Sequence, residues 1–167
     1  DAVGKEVSEL LAGRLQNGIS RQDSSDDVKR ECLDNLADLL YRFGHLIPNE
    51  HRAIMLTSAR HLEASRPVIR KRAGNCLGSL AVVVQDDLLN DIMEMLLSKI
   101  EGKADSDSPV SNAETRTVIQ TVGTISRVVG HRLSGHLDRL VPLFVRICGD
   151  PDDENTQDDA TNELREC

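Results

Sequence analysis

Residues 113–133 read AETRTVIQTVGTISRVVGHRL, and this stretch decides the fold. Its large apolar side chains are Val118, Ile119, Val122, Ile125, Val128 and Val129. They recur every three or four residues, which places them on one face of an α-helix. Gly130 follows where helices often end in a left-handed cap, so we expect such a cap there. One helix cannot bury an apolar face alone, so the chain must supply others that pack against it.

Helices of the same kind are predicted on both sides of this stretch. In the first, which should end at Asn17-Gly18, the expected inward side chains are Val3, Val7, Leu10, Leu11 and Leu15. In the seventh, they are Leu137, Leu140, Val141, Phe144 and Ile147. The segments 104–112 and 150–162 lack apolar periodicity, so they are predicted to be the most mobile loops.

The helices are predicted to pair, and the pairs repeat. The second helix of each pair begins with an apolar or β-branched residue followed by a base, at Val28-Lys29, Ile69-Arg70, Thr115-Arg116 and Leu164-Arg165. These sites are 41, 46 and 49 residues apart, close to the period of roughly 40–47 residues in HEAT and armadillo arrays. A compact helical bundle is the alternative.

The spacing therefore predicts an all-α fold, a HEAT-repeat α-solenoid of about four stacked antiparallel helix pairs with the last one truncated. Residues 1–167 would form one segment of a longer solenoid. Its approximate repeats are 1–46, 47–85, 86–133 and 134–167.

The composition excludes several classes of protein. Hydrophobic residues make up 39% of the chain and aromatic residues only 2%, which indicates an aliphatic core. The net charge is −8, but residues 150–163 hold seven acids, and the rest of the chain is nearly neutral. This balance argues against nucleic acid as a partner. No apolar run approaches the length of a membrane span, and the cysteine spacing matches no metal or redox motif.

No motif in the sequence indicates catalysis, so we expect neither an enzyme nor a cofactor, a metal or a small-molecule substrate. The paired carboxylates Asp26-Asp27 and Asp86-Asp87 stand at helix starts, where the helix dipole explains them. The densest basic cluster is Arg66, Arg70, Lys71 and Arg72. It could receive an acidic partner, but we favour a solvated helix start whose bases pair with acids of neighbouring repeats.

Four motifs suggest a family. They are Ile69-Arg70-Lys71-Arg72, Thr115-Arg116-Thr117 with Ile119-Gln120, Ile125-Ser126-Arg127 with Gly130-His131-Arg132, and Glu163-Leu164-Arg165-Glu166. Their order and approximate spacing resemble those of the cullin-associated neddylation-dissociated family, whose members are long HEAT solenoids. The resemblance covers nearly the whole chain and implies a place in the N-terminal third, although the acidic loop before Leu164 is longer than in the family.

The resemblance implies a protein-binding scaffold that acts in the cytoplasm and the nucleus. The family binds the unneddylated cullin–RING core, blocks neddylation and promotes exchange of substrate receptors in ubiquitin ligases. The expected partners of this segment are the cullin C-terminal domain and the RING-box protein. A HEAT scaffold of another class, such as a nuclear-transport receptor or a phosphatase scaffold, would have a similar period and composition.

A repeat array exposes one helix of each pair along its concave surface. If the second helices line that surface, the side chains opposite their apolar faces are the candidates for binding a partner protein. These candidates are Asp34, Asp38, Arg42, Asn75, Ser79, Gln120, Thr124 and Arg127.

Overall fold

The computed structural model describes residues 2–104 and 113–148, and in these ranges every regular element is helical. The predicted all-α HEAT-like solenoid is thereby confirmed. The α-helices are α1 (Ala2–Ser20), α2 (Asp26–Phe43), α3 (His51–His61), α4 (Pro67–Val83), α5 (Asp86–Ala104), α6 (Ala113–Val129) and α7 (Leu137–Cys148). The segments predicted to be mobile lie outside the described residues, apart from Ala104, which ends α5.

The helix boundaries follow from local sequence. Ser25 precedes α2, and its hydroxyl accepts a hydrogen bond from the backbone N–H of Val28 at 3.3 Å. Pro67 occupies the first turn of α4, where its missing N–H costs no intrahelical hydrogen bond. Helix α1 does not end at the predicted stop, Asn17-Gly18, but continues to Ser20.

The left-handed cap expected at Gly130 is wrong, because no glycine among the described residues has a positive φ. Instead, α6 runs directly into a 3-10 turn, Gly130–Arg132, in which the N–H of Leu133 bonds to the carbonyl of Gly130 at 3.0 Å. Short 3-10 turns satisfy the last carbonyls of a helix without a left-handed residue. Gly44 makes the same transition after α2, and it packs so closely on Val83 that a Cβ would lie 2.8 Å from Cγ2.

The helices stack as pairs, α1 with α2, α3 with α4, and α5 with α6, followed by α7. The helix bounds fall within the predicted repeat limits, which stay an interpretation of the sequence. One continuous aliphatic core runs through the stack. Its largest fully buried side chains are Ile19, Leu33, Leu36, Leu40, Ile47, Ile54, Leu62, Ile69, Leu77, Leu80, Leu89 and Ile92.

Of the five side chains that the sequence predicted to point inward on the first helix, only Leu15 packs against the core. Val3, Val7, Leu10 and Leu11 are exposed, and α1 instead turns Ser8, Ala12 and Ile19 inward. The reason is its place in the stack: among the described residues α1 has neighbours on one side only. The exposed face is the one that a preceding helix pair would cover in a longer solenoid.

The last described helix shows the same effect. Leu140 is buried as predicted, but Leu137 and Val141 are about half exposed, and Leu143 is buried in their place. Pro142 lies inside α7 as expected. The side chain of Ile147 lies outside the described residues. In the described ranges, no helix combines the length and apolarity needed to cross a bilayer.

Candidate protein-binding surface

The second helices α2, α4 and α6 form a continuous row, and contacts along this row are far more extensive than those among α1, α3, α5 and α7. We call the solvent-exposed side of α2, α4 and α6 the second-helix surface. The second helices are therefore the more closely connected layer of the stack. That they line a concave surface stays a prediction.

Glycines permit the close approach of α4 to α6. A Cβ added at Gly74 would collide with the Thr121 hydroxyl, and one added at Gly78 would lie 3.1 Å from Cγ2 of Thr124. Thr121 cannot easily give way, because its hydroxyl donates a hydrogen bond to the carbonyl of Thr117 at 2.8 Å. These contacts fix how the two helices are aligned and therefore how their exposed side chains are spaced.

All eight predicted binding residues retain access to solvent on the second helices. Four are exposed, namely Asp38, Arg42, Asn75 and Arg127, and four are half-buried, namely Asp34, Ser79, Gln120 and Thr124. The structure brings Asn75, Gln120 and Thr124 together around a shallow cleft between α4 and α6. That these eight residues contact a partner protein stays a prediction.

Asp34 has a structural contact that limits its availability. Its carboxylate lies 3.3 Å from Nε of Arg72, so this ion pair links α2 to α4. Asp38, one turn later, is exposed and forms no ion pair with another described residue. A partner protein could therefore reach Asp38 without breaking an existing ion pair.

Sequence reasoning missed two residues of this surface and misplaced a third. Lys71 also lines the cleft between α4 and α6, and Tyr41 is 78% exposed, more than any other large hydrophobic side chain among the described residues. Val128 was expected to be buried with the rest of the α6 stripe, but it is 46% exposed on the second-helix surface. The repeat offset could have found Tyr41, since it is aligned with exposed Val82 of α4.

The residues of the basic cluster at the start of α4 have different structural roles. Arg66 pairs with Asp26 at 3.0 Å, as expected for contacts between neighbouring repeats. Arg70 is different, because it is buried and its guanidinium donates hydrogen bonds to the carbonyls of Ala64 and Ser65 at 2.8 and 3.0 Å. The expectation of a solvated base paired with acids is therefore wrong at Arg70, which holds the α3–α4 turn.

Arg132 performs a related task one repeat later. Its guanidinium donates to the carbonyls of Ala81 and Val84 at 3.0 and 2.7 Å and to the carboxylate of Asp86. Both arginines thus bind backbone carbonyls in the last turn of a helix or just after it, which a charged donor does more strongly than a neutral one. Their role is to join helices rather than to receive a ligand.

Three cations of the second-helix surface are not engaged in ion pairs with described residues. Arg42, Lys71 and Arg127 are exposed, and within the described ranges none of them pairs with an acid. Elsewhere some exposed arginines are paired, such as Arg52 with Asp91 at 2.6 Å, whereas Arg14 and Arg60 on the first helices form no ion pair with a described residue. Unpaired cations on this surface are available to an acidic group of a partner.

The histidines, cysteines and acids of the described ranges do not form a metal site. Within residues 2–104 and 113–148, no three side chains of the metal-ligating types are grouped closely enough to hold an ion. Burial raises the pKa of the Cys76 thiol to about 12, so this residue behaves as a small hydrophobe of the core. Burial also raises the pKa of Cys32, which packs against Gly18 of α1.

Comparisons with known proteins identify relatives along most of the chain, although no protein-family model matches it. Cullin-associated NEDD8-dissociated protein 2 of Mus musculus is 35% identical over 148 residues, which is 89% of this chain. Cullin-associated NEDD8-dissociated protein 1 is 34% identical over 92% of the chain in Drosophila melanogaster and 31% identical over 98% in Dictyostelium discoideum.

The chain spans only 12% to 13% of the length of these relatives. The match confirms the resemblance drawn from the four sequence motifs, and its extent is consistent with a fragment of such a protein. The chain is therefore a homologue, along most of its own length, of a segment of the cullin-associated NEDD8-dissociated proteins.

Proposed function

We propose that this chain is a protein-binding segment of a cullin–RING ubiquitin ligase regulator. Its partners would be the cullin C-terminal domain and the RING-box protein, in the unneddylated state. By occupying that core it would block neddylation and promote exchange of substrate receptors. The observation that carries the proposal is the homology to proteins whose names describe association with cullins.

The second-helix surface supports a binding role. It runs across α2, α4 and α6, and several of its charged side chains lack partners within the described part of the chain. A curved row of helices can contact a large partner at many places along its length. Binding would then depend on many modest contacts with a few strong ones near the centre.

The proposed inhibition requires no chemical step by this chain. A scaffold that covers the acceptor lysine of the cullin excludes the modifying enzyme by occupying the same space. Accordingly, we propose that the chain is not an enzyme and that it acts through its parent protein in the cytoplasm and the nucleus. A position in the N-terminal third of that parent belongs to the same proposal.

The test is a binding measurement with the chain immobilised and purified cullin–RING complexes in solution. The proposal expects the unneddylated complex to bind and the neddylated complex to bind at least about tenfold more weakly, since a covalently attached modifier would occupy the contested space. A nuclear-transport cargo complex and a phosphatase catalytic subunit serve as comparisons for other HEAT scaffolds. Equal binding of both cullin–RING complexes, or preference for one of the comparison proteins, would refute the proposal.

A further inference from the structure

Polar side chains and one glycine line the cleft between α4 and α6 on the second-helix surface. The hydroxyls of Thr117 and Thr121 are already engaged, since each donates to the backbone carbonyl one turn earlier, at 2.9 and 2.8 Å. Hydrogen bonds with other described residues are absent from the remaining polar side chains of the cleft, which are Lys71, Asn75, Gln120 and Thr124. Their donors and acceptors are therefore available to a partner.

Asn75 and Gln120 occupy equivalent positions on the two helices. A separation of 45 residues superimposes the buried positions of α4 on those of α6, for example Leu77 on Val122, and the same separation joins Asn75 to Gln120. Each is the only side-chain amide of its helix. Because Gly74 permits a close approach of the helices at this level, the two amides stand side by side across the cleft.

This pair of amides suits the main chain of an extended segment. A side-chain amide both donates and accepts, as does the N–H and C=O pair of one backbone residue. In an extended chain every second residue directs these groups to the same side, and such residues are about 6.6–6.8 Å apart. Packed helices lie about 8–10 Å apart, and flexible side chains can span the small difference. One extended segment that crosses both helices can therefore bond to both amides.

The charges around the cleft favour an acidic segment. Helix α4 contains no acid, and the single acid of α6, Glu114, lies in its first turn. Lys71 stands one turn before Asn75, and its ammonium group forms no ion pair with a described residue. The side chains of a strand that lies with its edge in the cleft point along the helices, alternately toward Lys71 and toward Thr124. A carboxylate on that strand can thus reach Lys71.

We propose that the cleft between α4 and α6 binds an extended acidic segment of the partner, with Asn75 and Gln120 bonded to its main chain and Lys71 to a carboxylate. This inference rests on the proposed function, namely that the second-helix surface binds a protein. Main-chain hydrogen bonds supply affinity in such complexes, and the cation selects an acidic segment over a basic one. The pair does not extend to α2, because the equivalent residue there is Asp34, which pairs with Arg72.

Two variants of the full chain test the proposal. The amide variant combines Asn75→Ala and Gln120→Ala. The matched control is Asn35→Ala, because Asn35 is an exposed amide on α2 that does not line the cleft. Far-ultraviolet circular dichroism establishes that both variants keep the helical content of the parent.

The probes are short acetylated peptides: one of alternating glutamate and threonine, a second with lysine in place of glutamate, and a third that is the glutamate peptide with its backbone nitrogens methylated. In two-dimensional NMR spectra of the parent, the glutamate peptide should shift the side-chain amide signals of Asn75 and Gln120, which the single alanine variants identify. The lysine and methylated peptides should bind at least about tenfold more weakly, and the amide variant should bind the glutamate peptide about tenfold more weakly. Asn35→Ala should bind like the parent. Unshifted amide signals, or equal binding of the methylated peptide, would overturn the proposal.

A second arm separates this inference from the proposed function. The amide variant should lose about tenfold in affinity for the unneddylated cullin–RING complex, whereas Asn35→Ala should not. If the parent binds that complex and the amide variant binds it equally well, the cleft does not hold a segment of this partner, and the inference is wrong. If the parent fails to bind the complex, the proposed function is wrong, and the peptide titrations still decide whether the cleft binds an extended acidic segment.

Discussion

Replacing the buried Arg70 by alanine should weaken the stack more than any other charge removal on α4. The guanidinium donates two hydrogen bonds to backbone carbonyls of the α3–α4 turn, and Nε lies 3.4 Å from the Thr117 hydroxyl on α6. Hydrogen bonds from charged groups contribute about 1.5–3 kcal/mol each. Ser65 is exposed, so water can replace one of the two donors. We therefore expect a loss of about 2–4 kcal/mol in the free energy of unfolding.

The assay is urea unfolding followed by far-ultraviolet circular dichroism, since the chain contains no tryptophan for fluorescence. For a chain of this size, the expected loss corresponds to a fall of roughly 5–15 °C in Tm. The matched control is Lys71→Ala, because Lys71 is adjacent but exposed, and it should change stability by less than about 0.5 kcal/mol. If Arg70→Ala were as stable as Lys71→Ala, the guanidinium would not be holding the turn.

Three further predictions follow from other contacts. Cys76 has a pKa of about 12 and is fully buried, so iodoacetamide at a pH of about 8 should modify it only after unfolding; labelling of Cys76 itself in the native chain, located by peptide mass spectrometry, would contradict this. Arg139 lowers the pKa of Glu101 below its ordinary 4.5, so their pairing should stabilise the fold above that pH and cease to do so as the pH falls through the lowered pKa. Arg139→Ala should remove this pH dependence while costing about 1 kcal/mol or less at neutral pH, as pH-dependent urea titrations would reveal. Gly74→Ala should destabilise the α4–α6 contact by about 1–3 kcal/mol, and Thr121→Ala should relieve the loss in the double variant; additive effects of the two changes would show that they do not clash.

The periodicity of the sequence was sufficient to predict the helices and their stacking. Ile69, Ala73, Cys76, Leu77 and Leu80 recur at helical spacing along α4, and all five are buried. In a repeat stack each repeat contacts only its neighbours in the chain. The period of the apolar residues is therefore enough to predict most of the fold.

Burial at the ends of the stack could not be predicted from the same pattern. The stripe of α1 that contains Val3 and Val7 has the correct spacing for a buried face, yet it is exposed. Spacing identifies a face that is suited to packing, but burial also requires a neighbouring helix on that side. Val128 shows a related limit. It lies at the edge of the apolar stripe of α6, where the spacing does not determine whether a side chain is buried or exposed.

The binding surface was predictable only in outline. The eight candidate residues were predicted because they lie opposite the apolar faces, and all eight are accessible to solvent on the second helices. Side-chain partners were not predictable, because they depend on contacts between repeats: Asp34 pairs with Arg72, and Arg70 reaches Thr117. Such contacts decide which charged residues hold the fold and which remain available to a partner.

The most direct test of the account is the affinity of the unneddylated cullin–RING complex for two triple variants, measured by isothermal titration calorimetry. One combines Asp38→Ala, Arg42→Ala and Arg127→Ala on the second helices. The matched control combines Glu6→Ala, Arg14→Ala and Arg60→Ala on the first helices, which removes the same kinds of exposed charge.

Each second-helix change central to the contact should cost about 1–3 kcal/mol of binding free energy, while the control should bind like the parent. Circular dichroism should show that both triple variants remain helical. By contrast, aspartate at buried Leu36, Leu77 or Val122 should unfold its repeat and thereby abolish binding, because the carboxylate would be buried without a partner. If the combined second-helix variant bound the complex as tightly as the parent does, the contact surface would have to lie on the first helices or outside this chain.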